Sequence, residues 1–292
     1  MSDTVTQEIQ AVVLAIFKEF QRICDLHNLR YFAIGGTCIG AVRHRGFIPW
    51  DDDIDVAMPF EDYKRFTEIA KDELQLPYSV VDPYERRYYT HTIIRIQNEN
   101  TASIDKKDQL YPDVYTGVFL DVMPIFGMPK GEKVQRKASH ACDRWVITNA
   151  KIRLPYPKQL PLRSKVLWIL LLPLKLTRPF DYFLKKIETT LGEFPFDNSD
   201  KVIFGWRKRP RKWMPGYTYQ NVFFYDDFKD HLTVPFEDTT MRIPVGYDRY
   251  LTMDFGDYMK LPPKEKQISK HDFAVLDLNK SYKEYAKEGI KK

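Results

Sequence analysis

Ile34-Gly-Gly-Thr-Cys-Ile-Gly-Ala-Val-Arg-His-Arg-Gly-Phe-Ile-Pro-Trp-Asp-Asp-Asp-Ile-Asp-Val-Ala-Met58 is the stretch whose reading decides the fold. Gly35-Gly36 let backbone N–H groups approach a phosphate closely at a helix start. Ile54 to Met58 reads as a strand, on which alternate side chains share a face. Asp53 and Asp55 therefore point together while Ile54 and Val56 point into the core. Asp51, Asp52, Asp53 and Asp55 repel one another, and burying even part of them costs several kcal/mol without a counter-charge. Oxygen-only donors suit a hard divalent ion, Mg²⁺ or Mn²⁺. A hydroxyl attacking a phosphate is a reaction that such an ion serves. Asp51, Asp53 and Asp55 also fit the start of a calcium loop, but Val56 stands where that loop needs glycine and Asp62 where it needs glutamate. No Gly-Lys-Ser/Thr follows the glycine pair, which excludes a P-loop.

Outward from this block, apolar residues at Ile9, Val12, Val13, Ile16, Phe17, Phe20, Ile23 and Cys24 predict an amphipathic helix over 5–26. Tyr31–Ile34 predicts a buried strand running into the glycines, and a second helix begins at Thr37. A further helix follows from Phe60 to about Leu74. Strands are predicted over His91–Gln97 and over Gly117–Met123, the latter ended by Pro124, and a helix over 131–152. Asp121, between Phe119-Leu120 and Val122-Met123, is costly unless paired or ligated, which makes it the best third carboxylate. The alternation of helix and strand predicts an α+β (mixed α/β) core.

The 292 residues suffice for a sizeable core. With 43% hydrophobic and 29% charged residues, the chain is globular, not disordered. Cys24, Cys38 and Cys142 are too widely spaced for a zinc site or a disulfide framework, and a reduced state is expected. The start lacks the features of a signal peptide, and no apolar run reaches the roughly 18 residues of a membrane span. A cytoplasmic location at the inner face of the membrane is expected, without secretion.

Residues 151–212 carry 15 Lys and Arg against 5 Asp and Glu, although the whole chain is only +5. Prolines 155, 157 and 161 lead into Val166-Leu-Trp-Ile-Leu-Leu-Leu-Pro-Leu174, flanked by Arg163, Lys165, Lys175 and Arg178. Two readings stand: a buried core helix, or a segment lying on a bilayer with Trp168 at headgroup level. Three readings stand for the basic belt, which includes Arg207, Lys208, Arg209, Arg211 and Lys212: a solvated face, recognition of an anionic lipid-linked glycan, or nucleic-acid binding, the last least favoured. The chain divides as a core over 1–150, a basic and apolar helical insertion over 151–212, and a part completing the core over 213–292.

The apolar-Gly-Gly turn, the Asp-apolar-Asp strand and the single later Asp resemble the nucleotidyltransferase superfamily. The longer run of Gly-Gly-Thr, Gly-Ala-Val-Arg-His, Gly-Phe-Ile-Pro-Trp-Asp-Asp-Asp-Ile-Asp is similar to the signature of the LicD family, distant relatives of fukutin-type enzymes. The resemblance extends to Arg95–Thr101, to Phe119-Leu-Asp-Val-Met-Pro124, and to Pro235–Asp238, Ile243-Pro244, Tyr250-Leu251, Phe255–Met259 and Leu261–Pro263. His271 falls where family members tend to carry a histidine. Residues 8–126 and about 213–272 are covered. Phe255 replaces a common Tyr, the basic insertion has no family template, and the cysteine-rich zinc module of fukutin-type relatives is absent.

This resemblance implies a phospho-alcohol transferase with a mixed-sheet nucleotidyltransferase core. The donor would be a CDP-activated alcohol, CDP-choline favoured. The acceptor would be a sugar hydroxyl of a teichoic acid, capsule or lipopolysaccharide precursor, a lipid-linked or surface glycan, with peripheral contact to an anionic membrane. Asp53 and Asp55 would hold the metal, with Asp121 as ligand or base. Asp51 and Asp52 would tune the field or cap the turn. Gly35, Gly36 and Thr37 would meet the donor. Arg43 and His44 would contact its phosphates or pair with the acidic run. Trp50 is a core anchor or a ligand wall, and Trp213, Tyr217 and Tyr219 are further candidates for a choline cage. His271 is a substrate contact or a structural histidine. Two alternatives remain: transfer of NMP from an NTP to a small molecule or RNA, and an inert glycan-binding relative.

Overall fold

Helix α1 (Asp3–Leu26) forms where the apolar spacing places it and buries Ile9, Val13, Ile16, Phe17, Phe20, Ile23 and Cys24. The computed structural model describes residues 3–154, 162–205, 222–269 and 271–290. After α1 come β1 (Phe32–Ala33), α2 (Gly35–His44), β2 (Asp55–Pro59), α3 (Phe60–Glu73), β3 (Tyr78–Val81), β4 (Ile94–Asn98), β5 (Ala102–Asp105) and β6 (Phe119–Gly127). Next are α4 (Glu132–Arg153), α5 (Leu162–Leu170), α6 (Leu172–Thr177), α7 (Tyr182–Leu191), β7 (Lys201–Phe204), β8 (Val222–Phe224) and α8 (Tyr225–Phe228). The remainder is β9 (His231–Phe236), β10 (Thr239–Pro244), α9 (Tyr247–Phe255), β11 (Phe273–Asp277) and α10 (Tyr282–Glu288).

The fold is mixed α/β. Its main sheet runs β1-β2-β6-β4-β3, with β2 and β6 parallel and the other pairs antiparallel. Strand β6 is the axis. Its first half pairs with β4 through Phe119–Val122, and its second half with β7 through Ile125–Gly127. Pro124 sits at the seam between these two partners, so the strand runs on to Gly127 instead of stopping at the proline as the sequence suggested. Its carbonyl accepts from Gly205 N–H across the seam (3.1 Å), the side on which a proline's missing donor costs least. The lane beside β6 also explains why β4 begins at Ile94 and not at His91, since β7 already occupies the continuation.

Helix α2 begins at Gly35, two residues before the predicted start. Gly35 takes the left-handed φ of +56°, turning the chain so that Cys38 N–H reaches the Ile34 carbonyl (3.2 Å). A Phe cluster of 17, 20, 66 and 236 with Tyr31 joins α1 and α3 to the hairpin β9–β10. Each buried aromatic contributes about 1.5–3 kcal/mol. The hairpin, β11 paired with β5, and α8 were not foreseen from the sequence. Cys24, Cys38 and Cys142 are free and buried.

The apolar run is not a buried helix. It divides at Leu171 into α5 and α6, and Leu162, Val166, Ile169, Leu170 and Leu176 are exposed. Trp168 does not face outward either: its indole N–H donates to the Leu154 carbonyl (3.2 Å), and Lys175 donates to the same oxygen (2.7 Å). The chain re-enters the main sheet at β7, so Lys201–Phe204 belong to the core although they fall within 151–212. Among the described residues no helix is long and apolar enough to cross a membrane.

Candidate active site

Strand register builds the site. Asp55 lies opposite Asp121 on the parallel neighbour, and Asp121 lies opposite Arg95 on the next strand. Register partners share a face, so Asp55, Asp121 and Arg95 form one row across three strands. Arg95 Nε donates to Asp121 Oδ1 (2.6 Å), and the guanidinium lies over the Phe119 ring (3.6 Å to its centroid). The backbone locks the row in place: Asp121 N–H donates to the Ile54 carbonyl (3.1 Å), and Asp55 N–H to Thr37 Oγ1 (2.8 Å).

The glycine pair abuts this row. A Cβ on Gly36 would stand 2.3 Å from Asp51 Oδ2, and one on Gly35 would stand 3.6 Å from Asp55 Oδ2. No side chain other than hydrogen lets the helix start and the Asp51 carboxylate come so close. Gly35 N–H donates to the buried Tyr250 hydroxyl (2.9 Å), which fixes α2 against α9.

A second layer joins from the C-terminal part. Asp52 is buried and accepts from Ser269 Oγ (3.0 Å), while its other oxygen lies 3.0 Å from His271 Nδ1. His271 Nε2 faces Asp53 Oδ2 at 3.9 Å. Burial opposes protonation of His271, but the Asp52 hydrogen bond and the charge of Asp53 hold its pKa up at about 9. The imidazolium is thus a counter-charge between two carboxylates.

Charge remains in excess. Burial and the nearby Asp51 push Asp53 up to about 7, and burial with Asp53 and Asp121 pushes Asp55 well above the carboxylate range. As the side chains stand, no three His, Cys, Asp or Glu residues among the described ones converge closely enough to hold a metal ion. The donor chemistry nonetheless fits a hard cation: oxygen ligands on one face, too few positive groups beside them, and carboxylates held above their ordinary pKa.

Residues 28–157 match the family model described as LicD/FKTN/FKRP, nucleotidyltransferase domain. This stretch is similar to a LicD-type nucleotidyltransferase domain. The chain is 29% identical to the lipopolysaccharide cholinephosphotransferase LicD of Haemophilus influenzae over 93% of its own length and 97% of that protein's. It is also 38% identical to an uncharacterized protein of Rickettsia prowazekii over 25% of this chain and 27% of that one. A Rickettsia typhi protein, likewise uncharacterized, is 37% identical over 22% and 21%.

Asp53, Asp55, Arg95 and Asp121 all lie inside the stretch that matches the LicD family model, whereas Tyr250, Ser269 and His271 are supplied from beyond it. Thr37 serves as the anchor of β2 described above. Arg43 and His44 lie at the other end of α2, about 12 Å along its axis from Gly35. There Arg43 donates to the Tyr258 carbonyl (2.6 Å) and to His44 Nε2 (2.9 Å), and burial lowers the pKa of both side chains. They tie α2 to the segment after α9. Trp50 packs half-buried against the main core. Trp213, Tyr217, Tyr219 and the Arg207–Lys212 belt lie outside the described residues. Arg95 is the site residue that sequence reasoning missed. The rule that singled out Asp121, a charge inside an apolar strand, applies equally to Arg95 between Ile94 and Ile96.

Proposed function

We propose that this chain transfers phosphocholine from CDP-choline to a sugar hydroxyl of a lipopolysaccharide or related surface-glycan precursor. The supporting observation is the row Asp55–Asp121–Arg95 inside a LicD-type domain, in a chain alike to a cholinephosphotransferase over nearly its full length. The acceptor oxygen attacks the phosphorus that bears choline, the bond from that phosphorus to the CMP oxygen breaks, and CMP leaves with the electron pair. Mg²⁺ or Mn²⁺ held by Asp53, Asp55 and Asp121 would supply charge neutralisation of the diphosphate. Gly35 and Gly36 admit the phosphates close to the start of α2. Arg95 orients Asp121, and the carboxylates of the row are the groups placed to take the acceptor proton. His271, held by Asp52, partly offsets the upward push of burial and Asp51 on Asp53. Positioning and charge account for most catalysis of this type.

The glycan precursor would be met at the membrane. The outward face of α5–α6 combines Leu162, Val166, Ile169, Leu170 and Leu176 with Arg163 and Arg178, a pattern complementary to an anionic bilayer. A groove lined by Lys106, Lys107, Asp108 and Lys151 includes Leu154, the residue that anchors this segment through Trp168 and Lys175.

A mass-spectrometric assay offering CDP-choline, CDP-glycerol and CDP-ribitol together with Mg²⁺ tests the proposal. Choline phosphate on the acceptor with stoichiometric CMP supports it. Exclusive use of another donor, or incorporation of NMP from an NTP, overturns it.

A further inference from the structure

Helix α4 carries a basic stripe along the centre of its outward face. At about 100° per residue, Lys133, Lys137, His140, Arg144 and Lys151 fall within about 60° of one another. All five are exposed, while the buried Gln135, Ser139, Cys142, Asn149 and Arg153 lie on the opposite side. The stripe is about 27 Å long, at about 1.5 Å per residue. No acid falls within it. Glu132 and Asp143 stand about 80–100° round the helix, and Glu132 reaches Arg136, itself off the stripe (4.0 Å). Among the described residues Lys133, Lys137, Arg144 and Lys151 have no ion-pair partner. Halfway along, Lys137, His140, Asp143 and Arg144 line an open groove together with Ala141 and Ile147. The last turn of the helix comes up to the carboxylate row: Arg153 Nη1 donates to the Tyr89 carbonyl (3.1 Å), and the Tyr89 ring lies 5.8 Å from the Arg95 guanidinium.

We propose that the outward face of α4 binds the phosphate groups of the acceptor glycan, a chain bearing several anionic groups in series. A solvated surface helix ordinarily mixes both signs, so that neighbours three and four residues apart pair. Here those neighbours are alike in sign, and they repel unless anions lie across them. The face is ill suited to a bilayer: Val134 is the one exposed large apolar residue of α4, whereas α5–α6 exposes a run of leucines. It is equally ill suited to stacking nucleic-acid bases, since Trp145 packs against the core. Phosphates on a glycan ask only for cations on stems that can follow an uneven spacing, which Lys and Arg provide.

The occupant rests on the phosphocholine-to-glycan reading, and the test separates the two. Lys137→Glu with Arg144→Glu is made in the full chain, with circular dichroism and melting to confirm folding. Should the reversal unfold the chain, Lys137→Gln with Arg144→Gln is read in the same way. The probe is a deacylated, phosphate-bearing lipopolysaccharide oligosaccharide, with its dephosphorylated form, poly(U) and anionic vesicles as the other arms. The parent should bind the phosphorylated form about tenfold tighter than the dephosphorylated one, and less tightly as salt rises from about 50 to about 200 mM. The double variant should lose about tenfold in that affinity and raise KM for the acceptor by as much, with KM for CDP-choline unchanged. Equal binding of both forms by the parent, or an affinity within about twofold in the variant, overturns the assignment. So does tighter binding of poly(U) or vesicles that the variant loses, which would give the stripe to nucleic acid or to the membrane. Phosphocholine transfer by the parent, with a variant that binds the probe equally well, removes the stripe and leaves the phosphocholine reading standing. Phosphate-dependent binding that the variant loses, in a chain that uses no CDP-alcohol, keeps the stripe and removes that reading.

Discussion

Replacing Arg95 by Met removes the cation from a largely buried pair while keeping most of the stem that packs on Phe119. The two side chains are 12% and 17% exposed and meet at 2.6 Å. Breaking one side of a buried pair costs roughly 3–5 kcal/mol, and the residual exposure places Arg95→Met near the lower end, about 3 kcal/mol. For a chain of this size the melting temperature should fall by on the order of 5–10 °C. Asp121 then faces Asp55 with nothing to offset it, so the loss should shrink when the second charge is also removed. Arg95→Met combined with Asp121→Asn should recover about 1–2 kcal/mol of the summed single losses. The assay is thermal and urea unfolding of parent, both single variants and the double variant at pH 7 with EDTA. Additivity within about 0.5 kcal/mol would refute the coupling on which the row rests.

Asp53→Asn and Asp55→Asn should each abolish CMP release while melting no lower than the parent in EDTA, since each relieves carboxylate repulsion. Retained turnover in both would remove them from the metal site. Gly36→Ala should cut turnover at least tenfold by driving its new Cβ into the Asp51 carboxylate 2.3 Å away, with far-UV circular dichroism unchanged; unchanged kinetics would show that this approach does not matter. Glu237→Ala leaves the buried Phe47 N–H without its 2.9 Å acceptor and should destabilise by about 1–3 kcal/mol in urea, whereas Glu237→Gln should retain most of the stability. Flotation with anionic vesicles should lift the parent but not the pair Ile169→Asp, Leu170→Asp. A parent that stays at the bottom with every lipid mixture refutes the membrane-facing reading of α5–α6.

The first 126 residues were the most legible part. Strand alternation expected Asp53 and Asp55 on one face, but β2 begins at Asp55 and Asp53 lies in the segment before it; the cost of a lone Asp in an apolar run pointed to Asp121, which the register set beside Asp55. What periodicity could not supply was the identity of neighbours across strands. Arg95 gains its meaning only from lying opposite Asp121, and Pro124 its tolerance only from a change of partner strand. The Asp52–His271 contact spans 219 positions, a relation no local pattern encodes. The α5 segment shows a different limit. An apolar run has the same composition whether it fills a core or lies on a surface, and here it lies on the surface.

The dependence of the site on Tyr250, Ser269 and His271 has a consequence for the order of synthesis. Gly35 waits for a hydroxyl 215 positions downstream, and Asp52 for partners 217 and 219 positions downstream. At roughly 5–20 residues per second, the carboxylate-rich segment exists for about 10–40 s on the ribosome before its counter-charge is made. During that interval the nascent chain has β2 and its carboxylates but not the contacts that steady them. The contacts that steady Gly35 and Asp52 therefore form only after the stretch carrying Tyr250, Ser269 and His271 has been made.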